Sequence, residues 1–314
     1  MKKINGGVYP TMITPFKDEK IDYENVEKLV EWYIEKGCTG IFAVCQSSEM
    51  IYLSLQERVE LSRAVIKQAN GRINIVSSGH CGNSIEEQAA EVEAIAETGA
   101  DAVVLVSNRF DLHGEGDDVW LKNAEELLKK TDESISFGIY ECPRPYKRLL
   151  TPRILDWCLK TGRFKFIKDT CCNPDTLTER LEQLKGSDLL LFNANAQTLL
   201  HSLEHGGAGY SGIMANFHPD LYVWLYNNFK KNPEQAKKVS DVLSMMAWTE
   251  NPAYPCTAKY YLRAFEGFNM QTYSRVVGES ALTSYQKYCM KQLFDLTGET
   301  RSFLLTGAFG CDKI

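Results

Sequence analysis

Ala102-Val103-Val104-Leu105-Val106 is the stretch on which the fold turns. A strand with one wet face alternates apolar and polar residues. An unbroken β-branched run of this length instead reads as a strand covered on both faces, as in parallel sheets flanked by helices. Working outward, comparable runs recur at residues 8–14, 40–44, 73–77, 136–140, 164–168, 189–192 and 209–213. Between them apolar residues take helical spacing. Residues 22–36 carry Val26, Leu29, Val30, Tyr33 and Ile34 on one stripe, and residues 56–70 carry Val59, Leu61, Val65 and Ile66. Ser84 followed by Glu87 is a capping box that opens the next helix. Gly37, Gly71, Gly99 and Gly162 stand where helices stop.

Eight strands alternating with seven clear helices, at a repeat of roughly 30 residues, predict an α/β protein with a (β/α)8 TIM barrel. The barrel is expected over residues 1–228. An open doubly wound sheet fits the same alternation and is the competing topology. From about Pro233 the strand signal stops, and residues 236–248, 258–265 and 272–294 read as helices. Residues 229–314 are therefore expected to form a C-terminal helical extension packed on the barrel, with no clear period after Gly298.

Composition narrows the function. A chain of 314 residues, 44% of them hydrophobic, is long enough to bury a full core. A net charge of −6 without basic runs argues against nucleic acid as a partner. No run approaches the 18 or so apolar residues of a membrane span. Ten scattered cysteines, without zinc-type CxxC spacing, predict reduced thiols rather than a disulfide framework or a metal site. The opening residues lead into a strand rather than an apolar signal core, so a cytoplasmic protein is expected.

Active sites of such barrels lie where strands end at the C-terminal face. In Phe164-Lys165-Phe166-Ile167-Lys168-Asp169, period two puts Lys168 on one face with two phenylalanines. A buried amine loses proton affinity and becomes a nucleophile that converts a ketone to an imine. The alternative is a lysine that reaches off the strand end or pairs with Asp169. The preceding strand closes on Tyr140, whose phenol is either a proton carrier beside the amine or a packed ring with a hydrogen-bonded hydroxyl. Gln46, Ser47 and Ser48 follow the second strand. Hydroxyls and amides there can cradle a carboxylate or simply cap the next helix.

These segments together resemble the dihydrodipicolinate synthase and N-acetylneuraminate lyase family, the pyruvate-dependent class I aldolases. The likeness runs from Gly7 to about residue 265. It rests on Val8-Tyr-Pro-Thr-Met-Ile-Thr-Pro-Phe16, on Tyr140-Glu-Cys-Pro143 with Phe166-Ile-Lys-Asp169 at the family's interval, and on Gly206-Gly-Ala-Gly-Tyr-Ser-Gly-Ile-Met-Ala-Asn216. Asn251-Pro252, Pro255 and Lys259 resemble the start of its helical extension.

The resemblance implies a Schiff base on Lys168, proton transfer by Tyr140, and carboxylate capture by Ser47 with the amides of Gln46 to Ser48. It also implies a pocket wall at the Ser211 backbone. It implies no cofactor beyond the covalent imine, small-molecule 2-oxo acid and aldehyde substrates, and a homo-oligomer, tetrameric by analogy. Arg109, Arg144 and Arg148 are candidates to read a second anionic group.

The departures are equally specific. The family's Gly-Thr/Ser-Thr-Gly-Glu turn reads Cys45-Gln-Ser-Ser-Glu49 here. Both glycines are absent, which predicts a different backbone path, because glycine alone takes positive φ cheaply. The synthases' tyrosine pair is replaced by Arg109-Phe110, and their arginine five residues after the tyrosine by Pro145. These changes disfavour dihydrodipicolinate synthesis and favour cleavage of a 2-keto-3-deoxy or sialic-type acid. An imine-dependent dehydratase or decarboxylase, and a non-catalytic 2-oxo acid sensor, are the alternative functions.

Three other signals carry less. Gly207-x-Gly209-x-x-Gly212 matches the dinucleotide fingerprint by letter but lies between a helix and a strand, the reverse of what that site needs. His201 and His205 share a helix face without an evident third ligand. Cys171-Cys172 reads as small packing residues.

Overall fold

The computed structural model describes residues 3–306. Eight parallel strands form the sheet: β1 (Gly7–Val8), β2 (Gly40–Ala43), β3 (Asn74–Ser77), β4 (Ala102–Val106), β5 (Phe137–Tyr140), β6 (Phe164–Asp169), β7 (Leu190–Asn193) and β8 (Gly209–Tyr210). From β2 to β8 each strand pairs with the next in sequence, and β8 pairs back with β1. The remaining gap closes where Thr11, beyond β1, pairs with Phe42 of β2. The barrel is complete and the open sheet is excluded.

The run in β4 explains itself. Val104 and Val106 join the cluster inside the barrel, while Val103 and Leu105 join a second cluster under the helices with Phe110 and Trp120. Both faces are dry, so both must be apolar. Inside, aromatic rings replace the aliphatic layers usual in such barrels. Tyr9 lies 4.6 Å from Phe192, Phe192 stacks on Phe166 at 4.8 Å, and Phe166 meets Phe42 edge-on at 5.8 Å. Gly40 makes room for this layer, since a Cβ there would lie 2.1 Å from the Tyr9 ring.

Eight helices follow the strands in turn: α1 (Tyr23–Glu35), α2 (Leu55–Ala69), α3 (Ile85–Ala96), α4 (Asp117–Lys129), α5 (Pro152–Thr161), α6 (Pro174–Gln183), α7 (Leu199–Glu204) and α8 (Pro219–Asn228). The capping box at Ser84 and Glu87 is present, and a second one at Ser54 and Glu57 opens α2.

Three further helices are α9 (Pro233–Met246), α10 (Cys256–Phe265) and α11 (Ser284–Thr306). The helix expected at 272–294 therefore begins twelve residues late and runs further. Residues 272–283 stay out of the α-helix, with Ser274 and the Arg275 amide both bonded to the Glu49 carboxylate and one short 3-10 turn at Glu279–Ala281. The stretch after Gly298 is helical although it lacks a clear period. Thr297 and Thr300 are buried there, and their hydroxyls return to the Leu293 and Leu296 carbonyls. The last residues of the expected extension, 307–314, lie outside the described residues.

Candidate active site

Strands β5 and β6 bring the two leading candidates together. Tyr140 and Lys168 are register partners, and Lys168 Nζ sits 4.3 Å from the centre of the Tyr140 ring and 5.8 Å from that of Phe42. Lys168 is 5% exposed. Among the described residues its amine makes neither an ion pair nor a side-chain hydrogen bond. Burial pulls its pKa below the ordinary value, and the neighbouring Cys45, Cys142 and Glu250 only partly oppose this. Pairing with Asp169 is excluded, because Asp169 bonds to Arg180 on the other face.

That other face carries a buried network. Arg180 spans the carboxylates of Glu141 and Asp169. Glu141 accepts from the Leu150 amide at 2.7 Å and the Thr170 amide at 2.8 Å. Burial and then Asp169 push the Glu141 carboxyl up, against the pull of Arg180. The network latches the ends of β5 and β6 and so holds the phenol beside the amine.

The Tyr140 hydroxyl donates to Gln46 Oε1 at 3.1 Å, and the Cys142 thiol approaches the same oxygen at 3.2 Å. Burial raises the phenol's pKa well above its usual value, so it rests protonated. Gln46 belongs to the turn whose glycines are missing. Positive φ appears instead at Val44 (43°) and Glu49 (63°), flanking the positions where the family has glycine. Left-handed backbone costs roughly 1–2 kcal/mol for a residue with a Cβ.

Tertiary contacts hold the turn in place. Glu49 is buried and paired to Lys259 of α10 at 2.8 Å, with neither side chain exposed. Ser48 is spent within the turn, since its hydroxyl donates to the Met12 carbonyl and accepts from the Cys45 amide. Its own amide donates to the Cys45 carbonyl. Ser47 faces the cavity and donates to Thr11 at 3.1 Å. The amides of Gln46 and Ser47 meet no acceptor among the described residues.

The resulting cavity holds about 400 Å³ and is lined by Gln46, Ser47, Tyr140, Arg144 and Lys168 among others. Arg109 is elsewhere, donating to Asn83 at 3.0 Å. Arg148 is committed to Asp111 and Asp117. Ser211 is fully buried, and the cavity is lined on that side by Ile213.

Sequence reasoning missed Tyr254, whose buried hydroxyl stands among Ser47, Thr11 and Asn216. It also missed Glu250, a half-buried carboxyl raised to about 7 by burial, with Lys168 pulling the other way. Asn251 and Pro255 beside them had marked the segment, but nothing local says that it folds over the barrel mouth.

Fold and site thus define a barrel enzyme with an unpaired buried amine at the strand ends. The chain belongs to the dihydrodipicolinate synthetase family, whose model matches residues 5–287. It is a carbon–carbon lyase of that family, of the Schiff-base class I aldolase kind. A 4-hydroxy-tetrahydrodipicolinate synthase of Methanocaldococcus jannaschii is 27% identical over 259 residues, covering 78% of this chain and 84% of that one. The 4-hydroxy-tetrahydrodipicolinate synthase structure from Methylacidiphilum fumariolicum superposes with a TM-score of 0.82 at 22% identity, over 96% of this chain and 99% of the other. The sialic acid aldolase of Ruminococcus gnavus, solved as a catalytic lysine mutant, superposes at 0.84 with 18% identity over 95% and 97%. Among the described residues no helix is long and apolar enough to cross a membrane, and no group of three or more His, Cys, Asp or Glu is placed to hold a metal.

Proposed function

We propose that Lys168 forms an imine with a 2-oxo acid and that Tyr140 carries the protons of an aldol cleavage or condensation. The observation that carries this reading is the unpaired Lys168 amine, buried against the Tyr140 ring. A buried ammonium without a counter-ion is costly, so the neutral nucleophile is favoured.

Ser47 and the free amides of Gln46 and Ser47 hold the substrate carboxylate. Lys168 Nζ attacks the oxo carbon, and the resulting hydroxyl leaves as water with the Tyr140 proton, giving an iminium beside a phenolate. The phenolate takes the proton of the C4 hydroxyl as the C3–C4 bond breaks, and that electron pair neutralises the iminium as an enamine. Tyr140 then protonates C3, and water hydrolyses the product imine. The substrates are pyruvate and an aldehyde, or the 2-oxo acid that they make. No cofactor enters beyond the imine. We infer a cytoplasmic homo-oligomer, by analogy with the family.

An aldolase is favoured over a dehydratase or decarboxylase because the solved neighbours include a sialic acid aldolase and the curated relatives are named as synthases. Borohydride reduction with pyruvate, followed by peptide mass mapping, tests the chemistry. The expected result is a reduced pyruvyl adduct on Lys168, and an unmodified Lys168 would overturn the mechanism.

A further inference from the structure

The floor and the upper wall of the cavity differ in chemistry. Gln46, Ser47, Tyr140 and Lys168 form the floor and are all assigned to the 2-oxo acid half. Above them the wall is built from four separate stretches of chain: Met50, Ile51 and Tyr52; Ile213; Pro255; and Val276. These side chains are apolar or aromatic. Ile51 and Tyr52 remain 46% and 51% exposed at the rim, a large apolar surface left in water beside a cavity.

The polar groups of the same wall are mostly occupied. Glu49 already accepts from Lys259, Ser274 and the Arg275 amide. The Tyr254 hydroxyl is engaged with Ser47, Thr11 and Asn216. Among the described residues the side chains of Arg144 and Asn251, and the Tyr52 hydroxyl out at the exposed rim, line the wall without a hydrogen bond or ion pair. A chain of several hydroxyls entering this space would exchange water for carbon at most positions, leaving donors and acceptors unpaired. An alkyl or aryl body would bury its surface there instead.

Resting on the imine chemistry above, we infer that the aldehyde half of the substrate has an apolar alkyl or aromatic body. At most one anionic or hydrogen-bonding group sits at its far end, for Arg144 or Asn251. This runs against the sugar-acid preference drawn from the sequence departures, which identified what the turn lacks but not what covers the floor.

The test is a pyruvate condensation panel with the full chain, pairing alkyl and aryl aldehydes with polyhydroxylated aldehydes of similar length. The expected result is a kcat/KM preference of roughly 10²-fold for the apolar members. Ile213→Asn should narrow that preference, and borohydride trapping of pyruvate on Lys168 in the unaltered chain reports separately on the imine. Equal or better turnover of polyhydroxylated aldehydes would overturn the inference, as would a preference untouched by both Ile213→Asn and Ile51→Asn. Failure of trapping would instead strike the imine reading itself, so the two failures are distinguishable.

Discussion

The two walls that face the substrate carboxyl and carbonyl are built in different ways. On one side Tyr140 and Lys168 close neighbouring strands, and Glu141, Asp169 and Arg180 clamp those strands from behind within about forty residues of chain. On the other side the Cys45–Glu49 turn depends on Lys259, Ser274 and Arg275, which lie more than two hundred residues away. The first wall is rigid because the sheet makes it so. The second holds positive φ at Val44 and Glu49 because a distant ion pair fixes Glu49. A strand end therefore supplies the chemistry, and a braced turn supplies the recognition.

This contrast can be broken one wall at a time. Tyr140→Phe should lower kcat by about 10²–10⁴-fold, the usual worth of a positioned proton carrier, in a steady-state assay of pyruvate release. Arg180→Met leaves two buried carboxylates facing each other without their cation. It should cost about 3–5 kcal/mol in urea unfolding and lower kcat more than it raises KM, because Tyr140 and Lys168 lose their clamp. Lys259→Met should cost less, nearer the bottom of that range, since Glu49 keeps Ser274 and the Arg275 amide. Its signature is a raised KM for the 2-oxo acid, and the double variant Glu49→Gln/Lys259→Met should recover part of the stability. If Arg180→Met and Lys259→Met give the same split between kcat and KM, the distinction between the walls fails.

The smallest effect is graded by pH. Neutral Lys168 is the nucleophile, so kcat/KM should rise by about tenfold per pH unit and level off below the ordinary lysine value of 10.5. The fold obeys the same sign, because the folded amine binds fewer protons than the unfolded one, so stability rises with pH through the interval between the two values. His80 adds an acid limb. Its Nδ1 accepts from the Val106 amide and its Nε2 meets Gln88, and burial lowers its pKa to about 4. Stability that is present above pH 6.5 should be lost as pH falls through that lower value, and His80→Gln should flatten this limb in chemical unfolding at stepped pH.

How much of this was legible depended on distance along the chain. The β4 run, the glycines after the helices and the face shared by Phe164, Phe166 and Lys168 are local patterns, and each marks its element directly. Helix α11 was misplaced, because its start is set by what Ser274 and Arg275 do elsewhere, and its last turns are buried through Thr297, Thr300 and Phe303 rather than through a clear apolar stripe. Ser48 was read as a substrate contact and is instead consumed by the Met12 carbonyl and the Cys45 amide.

By itself the sequence determined the barrel, the pairing of a phenol with an amine on adjacent strands, and the family. These follow from periodicities of two and 3.6 residues and from short fixed intervals, which survive without knowledge of the rest of the chain. Only the tertiary structure decided which amides of the turn are free, which arginines are already committed, and what covers the cavity. Those depend on where segments far apart in sequence come to rest, and a hydrogen-bonding group spent on one partner is no longer offered to another.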